Sequence, residues 1–205
     1  MKREEKHYKS SQEILAAAMT EFGTQDYGAV TLNSICEKHH LSKGLFYHYF
    51  SGRDELFLAC VRKTFAGLAF YMEEHFDGTG EFEENIGKYF CARNAYFARN
   101  PYEKRIFFTA AFQCPAHLQE QVTALRQPLH DQNRRYIRRI FERLELRPGV
   151  SMEAAERYFG RFDEIFGSLF GSVLRSEEDL PEMEAITRKL LDFMLYGVAR
   201  QKEGQ

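Results

Sequence analysis

Side chains that can donate hydrogen bonds to an anionic partner are concentrated between Thr31 and Arg53. The candidates are Thr31, Ser42, Lys43, Tyr47, His48, Tyr49 and Arg53. Groups of these kinds bond to phosphate oxygens, and a lysine can also donate to guanine O6 or N7. Two further positions suit the same partner, because Gly44 allows close backbone approach and Leu45 can contact a thymine methyl. The set therefore predicts contacts with DNA.

Two short helices are predicted to position these side chains. Thr31 can cap a helix that runs to His39, and after a tight turn Ser42 can cap a second one. The second helix is predicted to end at Tyr49. The apolar residues expected to hold the pair together are Leu32, Ile35, Cys36, Leu41, Phe46 and Phe50. Two such helices form a helix-turn-helix, whose second helix fits the major groove of B-DNA.

The rest of the chain also has helical periodicity, without the sustained alternation that marks strands. Residues 10–13 (Ser-Ser-Gln-Glu) predict a capping box for a helix with Ile14, Ala18 and Phe22 on one face, closed by Gly23. Further helices are predicted at residues 53–75, 83–99, 102–113, 117–144, 151–175 and 181–199. The predicted fold class is all-α, with about nine helices.

Net charge gives no indication of a nucleic-acid partner. The chain has 28 Lys and Arg against 30 Asp and Glu, a formal charge of −2. Residues 1–62 hold eight of each sign. A field that attracts DNA must therefore come from where the charges lie, not from their number.

Motifs for metal binding, catalysis and membrane insertion are absent from the sequence. Cys36, Cys60, Cys91 and Cys114 form no closely spaced pair, which favours buried small side chains in a reducing compartment over a redox or metal site. No HExxH, glycine-rich phosphate loop or nucleophile signature occurs, so we expect no enzyme, cofactor or metal. No apolar run approaches the ~18 residues of a membrane span, and the start lacks a signal-peptide core. We expect a cytoplasmic protein.

The N-terminal stretch resembles the tetracycline-repressor (TetR/AcrR) family of transcriptional regulators over about residues 10–60. The residues that carry the resemblance are Phe22, Gly28, Thr31, Ile35, Leu41, Ser42, Lys43, Gly44, Tyr47, Tyr49, Phe50 and residues 53–57 (Arg-Asp-Glu-Leu-Phe). It implies a DNA-binding domain at residues 1–55 and a helical effector-binding and dimerisation domain at 56–205. It also implies a repressor that binds palindromic operator DNA as a homodimer and is released by a small effector.

The resemblance also assigns roles to single positions. It places phosphate contacts on Thr31, Tyr47, Tyr49 and Arg53, and base reading on Asn33, Ser42, Lys43, Gly44, Leu45 and His48. Three positions depart from the family pattern. His40 stands where the family has the turn glycine, which predicts a strained left-handed backbone. Arg53 replaces a lysine and keeps a phosphate donor, whereas Leu45 makes readout at its position apolar.

A ligand cavity among the middle helices is a further implication of the resemblance. The candidate effector residues are Tyr89, Arg93, Tyr96, Phe107, Phe108 and Phe112, which suit a small, largely apolar or aromatic effector. Ordinary core packing is the alternative for each aromatic residue. The seven arginines between Arg126 and Arg147 form either a solvated face or, through one or two members, a site for an anionic effector.

The last two predicted helices have more apolar surface than one contact with the body of the protein needs. Apolar residues recur there at intervals of three to four, with glycines that allow close approach. The candidate interface residues are Phe159, Phe162, Phe166, Gly167, Phe170, Leu190 and Met194. A four-helix bundle between two identical subunits would bury this surface.

Two other classes of protein remain open at this point. One is a helical enzyme with the aromatic pocket as its active site, and the missing catalytic motifs argue against it. The other is a helical protein-binding module that has lost DNA binding. The intact Ser42, Lys43, Gly44, Tyr47 and Arg53 argue against that loss.

Overall fold

The computed structural model of the chain describes residues 2–76, 79–80, 82–158, 181–182, 185–186, 188–190, 193 and 197. Its helices are α1 (Lys2–Phe22), α2 (Leu32–Lys38), α3 (Lys43–Tyr49), α4 (Arg53–His75), α5 (Phe82–Arg99), α6 (Pro101–Phe112) and α7 (Gln119–Phe141). A short 3-10 turn, Ala116–Leu118, precedes α7, and residues 152–158 are also helical. No strand occurs among these residues, and the predicted all-α fold class is confirmed. None of the described helices is long and apolar enough to cross a membrane.

Helix α1 begins at Lys2, well before the predicted start at Ser10. The predicted capping box is therefore wrong, because an N-cap residue needs a non-helical backbone and residues 10–13 lie inside the helix. The preceding Lys-Arg-Glu-Glu-Lys stretch consists of good helix formers. It continues the helix toward the N-terminus without a break.

The chain divides into two compact units, each built from two stretches of sequence. The first unit comprises residues 1–67 and 97–126, and the second comprises residues 68–96 and 127–205. Helices α1, α2, α3 and α6 and the 3-10 turn fall entirely in the first unit. Every candidate DNA-contacting residue therefore lies in the first unit.

The predicted apolar face of α1 forms part of the core of the first unit. Ile14, Ala18 and Phe22 are each at most 2% exposed, which confirms their predicted spacing on one face. The Phe22 ring meets the Phe57 ring of α4 edge-on at 5.1 Å between centroids. Tyr27, in the loop after α1, packs edge-on against the same Phe57 ring at 5.0 Å.

Gly23 allows α6 to pack directly against the end of α1. A Cβ atom at this position would lie 2.4 Å from the Cβ of Tyr102 and 2.6 Å from the carbonyl oxygen of Met19. Neither distance is tolerable for a real Cβ, and neither neighbour is the flexible end of a side chain. The sequence explains Gly23 by the helix end alone, whereas the structure adds the close approach of a second helix.

Aromatic rings form much of the core of the second unit. The Phe76 ring packs edge-on against Tyr136 of α7 at 4.9 Å and against Tyr89 of α5 at 5.7 Å. Buried Gln132 donates hydrogen bonds of 2.8 Å to the Ala69 carbonyl and to the Glu73 carboxylate. Bonds from Gln132 and Tyr136 lower the pKa of Glu73 below its ordinary value.

The arginines of α7 lie mostly on its solvent side. Arg134, Arg135, Arg138 and Arg139 are exposed. Arg138 contacts two carboxylates, at 3.6 Å in Glu142 and 3.2 Å in Glu156. Because these four residues are exposed, they favour the solvated face over an inward-facing anion site. Their exposed ion pairs contribute little stability.

The cysteines are all free thiols, with different environments. Cys36 and Cys60 are buried, as expected for small apolar side chains, and burial raises the pKa of the Cys60 thiol. Cys114 is half-buried. Cys91 is exposed, and the expectation of burial is wrong there.

Candidate nucleic-acid interface

Helix α2 begins at the predicted cap. The Thr31 hydroxyl accepts a 3.0 Å hydrogen bond from the Ser34 amide, and the Ser34 hydroxyl accepts one of 3.2 Å from the Thr31 amide. This reciprocal pair is a capping box, with serine at the position where glutamate or glutamine is more usual. On the opposite side, Ile35 and Cys36 are buried. The cap thus fixes where α2 starts, and the two apolar side chains fix its orientation.

The turn between α2 and α3 contains the left-handed residue that the family resemblance implies. His40 has φ +54°, and no other described non-glycine residue has a positive φ. The backbone reverses there, so that the Leu41 amide donates a 2.9 Å bond to the Cys36 carbonyl. This bond is the one that closes a Schellman motif, and it places Leu41 back over the end of α2. Leu41 is half-buried in that position.

Helix α3 is short and is held by one buried ring. The Ser42 hydroxyl accepts a 3.1 Å bond from the Leu45 amide and caps the helix as predicted. Phe46 is completely buried, and its ring lies 5.9 Å from that of Phe50 at the helix end. One anchored face of a seven-residue helix leaves the remaining faces available to solvent or to a partner.

The candidate contact residues form an exposed surface on α3 and at the start of α2. The exposed members are Thr31, Asn33, Ser42, Lys43, Gly44, Tyr47 and His48, and the half-buried ones are Leu45, Tyr49 and Arg53. Tyr47 is 61% exposed, which is unusual for so large a ring. A Cβ atom added at Gly44 would meet no protein atom within 4 Å. The surface thus offers donors around a position where nothing obstructs the backbone.

A buried carboxylate joins α1 to the end of α2. Glu21 accepts hydrogen bonds from Lys38 Nζ at 2.7 Å, from His39 Nε2 at 3.1 Å and from Gln25 Nε2 at 2.5 Å. Burial opposes ionisation of Glu21, but the bonds from Lys38, His39 and Gln25 outweigh it and lower the pKa of the carboxyl. Glu21 therefore helps fix the α2–α3 pair on α1.

Arg53, at the start of α4, is held by contacts within the first unit. Its guanidinium carbon lies 4.5 Å from the centroid of the Tyr27 ring, and Nη1 donates a 3.4 Å bond to the Val30 carbonyl. Its Nε lies 3.8 Å from Oδ1 of Asp54. The side chain remains 34% exposed, so one part of the guanidinium still faces solvent.

Asp54 is bonded on both of its oxygens. Tyr27 donates its hydroxyl proton to Oδ1, and Nε2 of His117 lies 2.8 Å from Oδ2. The bond from Tyr27, followed by contributions from His117 and Arg53, lowers the pKa of Asp54 despite partial burial. Burial, together with the bond to Asp54, raises the pKa of Tyr27 to about 12.

Sequence reasoning did not identify the partners that support this surface. Asp54 enters the sequence analysis only through the family resemblance, and Tyr27 and Glu21 do not enter it. His117 lies 63 positions from Asp54, so no local spacing could associate them. Only the i, i+4 spacing of Glu21 and Gln25 is a local signal that could have been used.

The candidate effector residues are divided between the two units. Tyr89, Arg93 and Tyr96 belong to the second unit, and Phe107, Phe108 and Phe112 belong to the first. Tyr89 donates a 3.1 Å bond to Asn133, and the Arg93 guanidinium lies 4.7 Å from the Phe90 ring centroid. Phe107 packs against Phe65 at 5.9 Å and Phe97 at 5.1 Å.

The candidate dimer residues lie almost entirely outside the described residues. Phe159, Phe162, Phe166, Gly167, Phe170 and Met194 are not described. Leu190 is described; it is helical and half-buried. The interface therefore stays a prediction from the sequence pattern.

Two capped short helices, a left-handed turn and an exposed donor-rich surface define a helix-turn-helix protein. Residues 14–60 match the family model described as bacterial regulatory proteins, tetR family. The N-terminal region thus matches the tetR family, and the chain has the fold of that family's regulators. No curated protein matches the sequence significantly.

Solved structures with this fold extend the likeness to nearly the whole chain. A TetR family transcriptional regulator from Chloroflexus aurantiacus is 17% identical, covers 95% of both chains and has a TM-score of 0.57. A second, from a Shewanella species, is 15% identical over 94% of this chain and 99% of its own, with a TM-score of 0.60. The fatty acid degradation regulator of Bacillus halodurans is 12% identical over 91% and 94%, with a TM-score of 0.62. At these identities the likeness shows the fold.

Proposed function

We propose that this chain is a transcriptional repressor that binds palindromic operator DNA as a homodimer and is released by a small, largely apolar or aromatic effector. The observation that carries the DNA part is the exposed surface of α3. It combines the donors of Lys43 and Tyr47 with an unobstructed backbone at Gly44. A surface of this kind is complementary to an anionic groove.

The dimensions of α3 suit the major groove. An α-helix with its side chains is about 10–12 Å across, and the major groove of B-DNA is about 12 Å wide. Seven residues span about 10 Å, enough to present side chains to a few successive base pairs. The helix must therefore approach closely, which the absence of a side chain at Gly44 allows.

The proposed contacts are of two kinds: those to phosphate, which position the protein on the duplex, and those to bases, which read the DNA sequence. Thr31, Tyr47, Tyr49 and Arg53 carry hydroxyl or guanidinium donors, and we assign them to phosphate. The base-reading assignment falls on Asn33, Ser42, Lys43, Gly44, Leu45 and His48. Leu45 has no polar group, and its half-buried side chain would contact a thymine methyl.

The proposal places effector binding and dimerisation in residues 56–205 and DNA binding in residues 1–55. Support for an apolar effector comes from the aromatic composition of the second unit. There the Tyr71 and Tyr96 rings lie 5.5 Å apart, and the Phe76 ring packs against Tyr136. Candidate contacts there are Tyr89, Arg93 and Tyr96. Phe107, Phe108 and Phe112 remain candidates, although core partners explain Phe107.

A binding titration at several salt concentrations tests the DNA part. The probe is fluorescent duplex from the region upstream of the gene, with a scrambled duplex of equal length beside it. Specific binding predicts that the upstream duplex binds at least about 10³-fold more tightly. Lys43→Ala should weaken binding, and the slope of log affinity against log salt should fall by about one if Lys43 contacts phosphate. Lys88→Ala, which removes an exposed lysine from α5, is the matched control and should keep the slope.

Equal affinity of wild type for the two duplexes would reject the operator proposal. The effector part is tested separately by thermal shift against a panel of small molecules, because a specific ligand raises the melting temperature by mass action. A ligand found in this way should weaken operator binding. One that stabilises the protein and leaves operator affinity unchanged would contradict its role as the releasing effector.

A further inference from the structure

Three side chains from separate segments of the first unit meet at the start of α4. Tyr27 comes from the loop between α1 and α2, Asp54 from the first turn of α4, and His117 from the 3-10 turn. Tyr27 and His117 bond to different oxygens of Asp54, and their rings lie 6.3 Å apart. We refer to these three residues as the Asp54 cluster.

The Asp54 cluster holds Arg53 in one place. The Tyr27 ring lies beneath the guanidinium at 4.5 Å, and Asp54 lies 3.8 Å from its Nε. With the bond to the Val30 carbonyl at 3.4 Å, these contacts restrict a side chain that otherwise has several rotatable bonds. A guanidinium held in advance loses less conformational entropy when it binds a phosphate.

The same cluster places a negative charge beside this candidate phosphate contact. An ionised Asp54 repels a phosphate that approaches Arg53. A protonated His117, with Nε2 at 2.8 Å from Oδ2, offsets that charge. Protonation of His117 also makes its bond to Asp54 an ion pair, which holds the 3-10 turn more firmly against α4. Charge neutralisation and firmer positioning both favour phosphate binding at Arg53.

We propose that Tyr27, Asp54 and His117 are positioning residues for operator binding, and that protonation of His117 strengthens that binding by fixing and neutralising Asp54 beside Arg53. The proposal rests on the proposed DNA-binding function. It adds a dependence of operator affinity on pH, because a histidine side chain can gain a proton.

The charged and titratable groups that face His117 come from two elements. Asp54 lies on α4 with Arg53 beside it, and Tyr27 lies in the α1–α2 loop. A second ion pair in the first unit joins Arg105 of α6 to Asp26 of the same loop at 2.7 Å. An arginine keeps its charge, so that pair provides a control that does not respond to pH.

The test measures operator affinity at pH 5.5, 6.5, 7.5 and 8 and at constant ionic strength, with the upstream duplex as the probe. From pH 5.5 to pH 8, operator affinity should fall for wild type by a factor two to five times larger than for His117→Gln. A difference of this size is expected of an exposed ion pair. Other histidines in the first unit contribute equally to both proteins, so the difference reports His117. Arg105→Gln should keep the wild-type pH profile.

Two further variants separate positioning from simple folding. Asp54→Asn keeps a hydrogen-bonding group but removes the charge, and it should also remove the pH response attributed to His117. Tyr27→Phe keeps the ring beneath Arg53 and loses the hydroxyl that bonds to Asp54. It should weaken binding at every pH, and its effect should be smaller in the Asp54→Asn background. Circular dichroism at each pH verifies that the variants are folded.

The outcomes distinguish this inference from the function on which it rests. Parallel pH profiles for wild type, His117→Gln and Asp54→Asn, with specific DNA binding intact, would overturn the inference alone. Wild type that binds no duplex specifically at any pH would overturn the proposed function and this inference with it. An Arg105→Gln profile that loses the pH response as His117→Gln does would also overturn the assignment to His117.

Discussion

His40 occupies a backbone conformation that glycine adopts at no steric cost. Its φ of +54° is needed to bring the Leu41 amide back to the Cys36 carbonyl and to direct the chain into α3. A residue with a Cβ pays roughly 1–2 kcal/mol for this region, and the exposed His40 ring has no burial to offset that cost. The strain lies in the turn that joins α2 to α3.

His40→Gly should therefore stabilise the protein. Relief of the left-handed strain exceeds the extra flexibility of glycine in the unfolded chain, and we expect a net gain of about 0.5–1 kcal/mol. For a chain of this length that gain raises the melting temperature by about 1–4 °C, measurable by differential scanning calorimetry. His40→Ala keeps a Cβ in the same place and should give no such rise. An equal rise in both variants would show that the backbone strain is not the cause.

Gly44 allows stability and DNA binding to be separated at a single position. A Cβ there meets no protein atom within 4 Å, and alanine is the better helix former by about 0.5–1 kcal/mol. Gly44→Ala should thus fold at least as well as wild type. If the backbone at Gly44 approaches DNA, the added methyl should weaken operator binding by roughly 1–3 kcal/mol, the usual cost of overpacking.

Gly87 provides the matched control for this prediction. It lies on α5 in the second unit and is also open around its Cβ position. Gly87→Ala should keep both the fold and the operator affinity, measured by the same fluorescence titration. Unchanged operator affinity in Gly44→Ala would remove Gly44 from the DNA-facing surface.

At the scale of the helices, the buried Glu21 carboxylate couples α1 to α2. Its pKa lies below the ordinary value, so its bonds stabilise the fold above about pH 4.5 and lose that effect as the pH falls through the lowered native pKa. Glu21→Gln should lower the free energy of unfolding by roughly 1–3 kcal/mol at pH 7, the worth of hydrogen bonds to a charged group. The deficit should shrink as the pH is lowered toward 3.

Denaturant titrations at a series of pH values measure this deficit. Glu13→Gln changes an exposed carboxylate on the same helix and should follow the wild-type curve throughout. If the difference in free energy of unfolding between wild type and Glu21→Gln stays constant from pH 7 to pH 3, the charge of Glu21 does not stabilise the fold.

The helix-turn-helix could be predicted closely because its signals are local. Thr31 and Ser42 cap their helices through amides three positions away, and the family resemblance places the left-handed turn at His40. The start of α1 could not be predicted from the serine and glutamate at residues 10–13. A serine caps a helix only where the residues before it are not helical. The close approach of Tyr102 to Gly23 and the contact of His117 with Asp54 depend on folding across long stretches of chain.

At the scale of the whole molecule, the compact units do not follow the order of the sequence. Each unit gathers two separate stretches, and α4, α5 and α7 have residues in both. A sequence pattern gives the faces of these helices but not which stretches assemble together, because non-local packing decides that. The six candidate effector residues illustrate the difficulty. Five of them are aromatic, but three of the six lie in each unit.

In the proposed function, operator recognition depends on dimerisation, a property of the whole molecule. A helix-turn-helix dimer reads two half-sites about 34–36 Å apart, and the subunit interface fixes that distance. The sequence predicts that Phe162, Phe166 and Gly167 lie in this interface. An effector would release the operator by favouring a dimer with the wrong spacing, and operator DNA must then weaken effector binding by the same factor.

Phe166→Glu tests the predicted interface directly. The two-fold axis would bury two unpaired carboxylates, which is too costly for a stable interface, so the variant should sediment as a monomer where wild type is a dimer. It should bind a single half-site nearly as well as wild type and lose most of its affinity for the full palindrome. Ser168→Glu adds the same charge about 200° around the predicted helix and should stay dimeric. A dimeric Phe166→Glu would place the interface elsewhere, and a monomeric wild type that binds the full operator tightly at micromolar concentration would contradict dimer-set spacing.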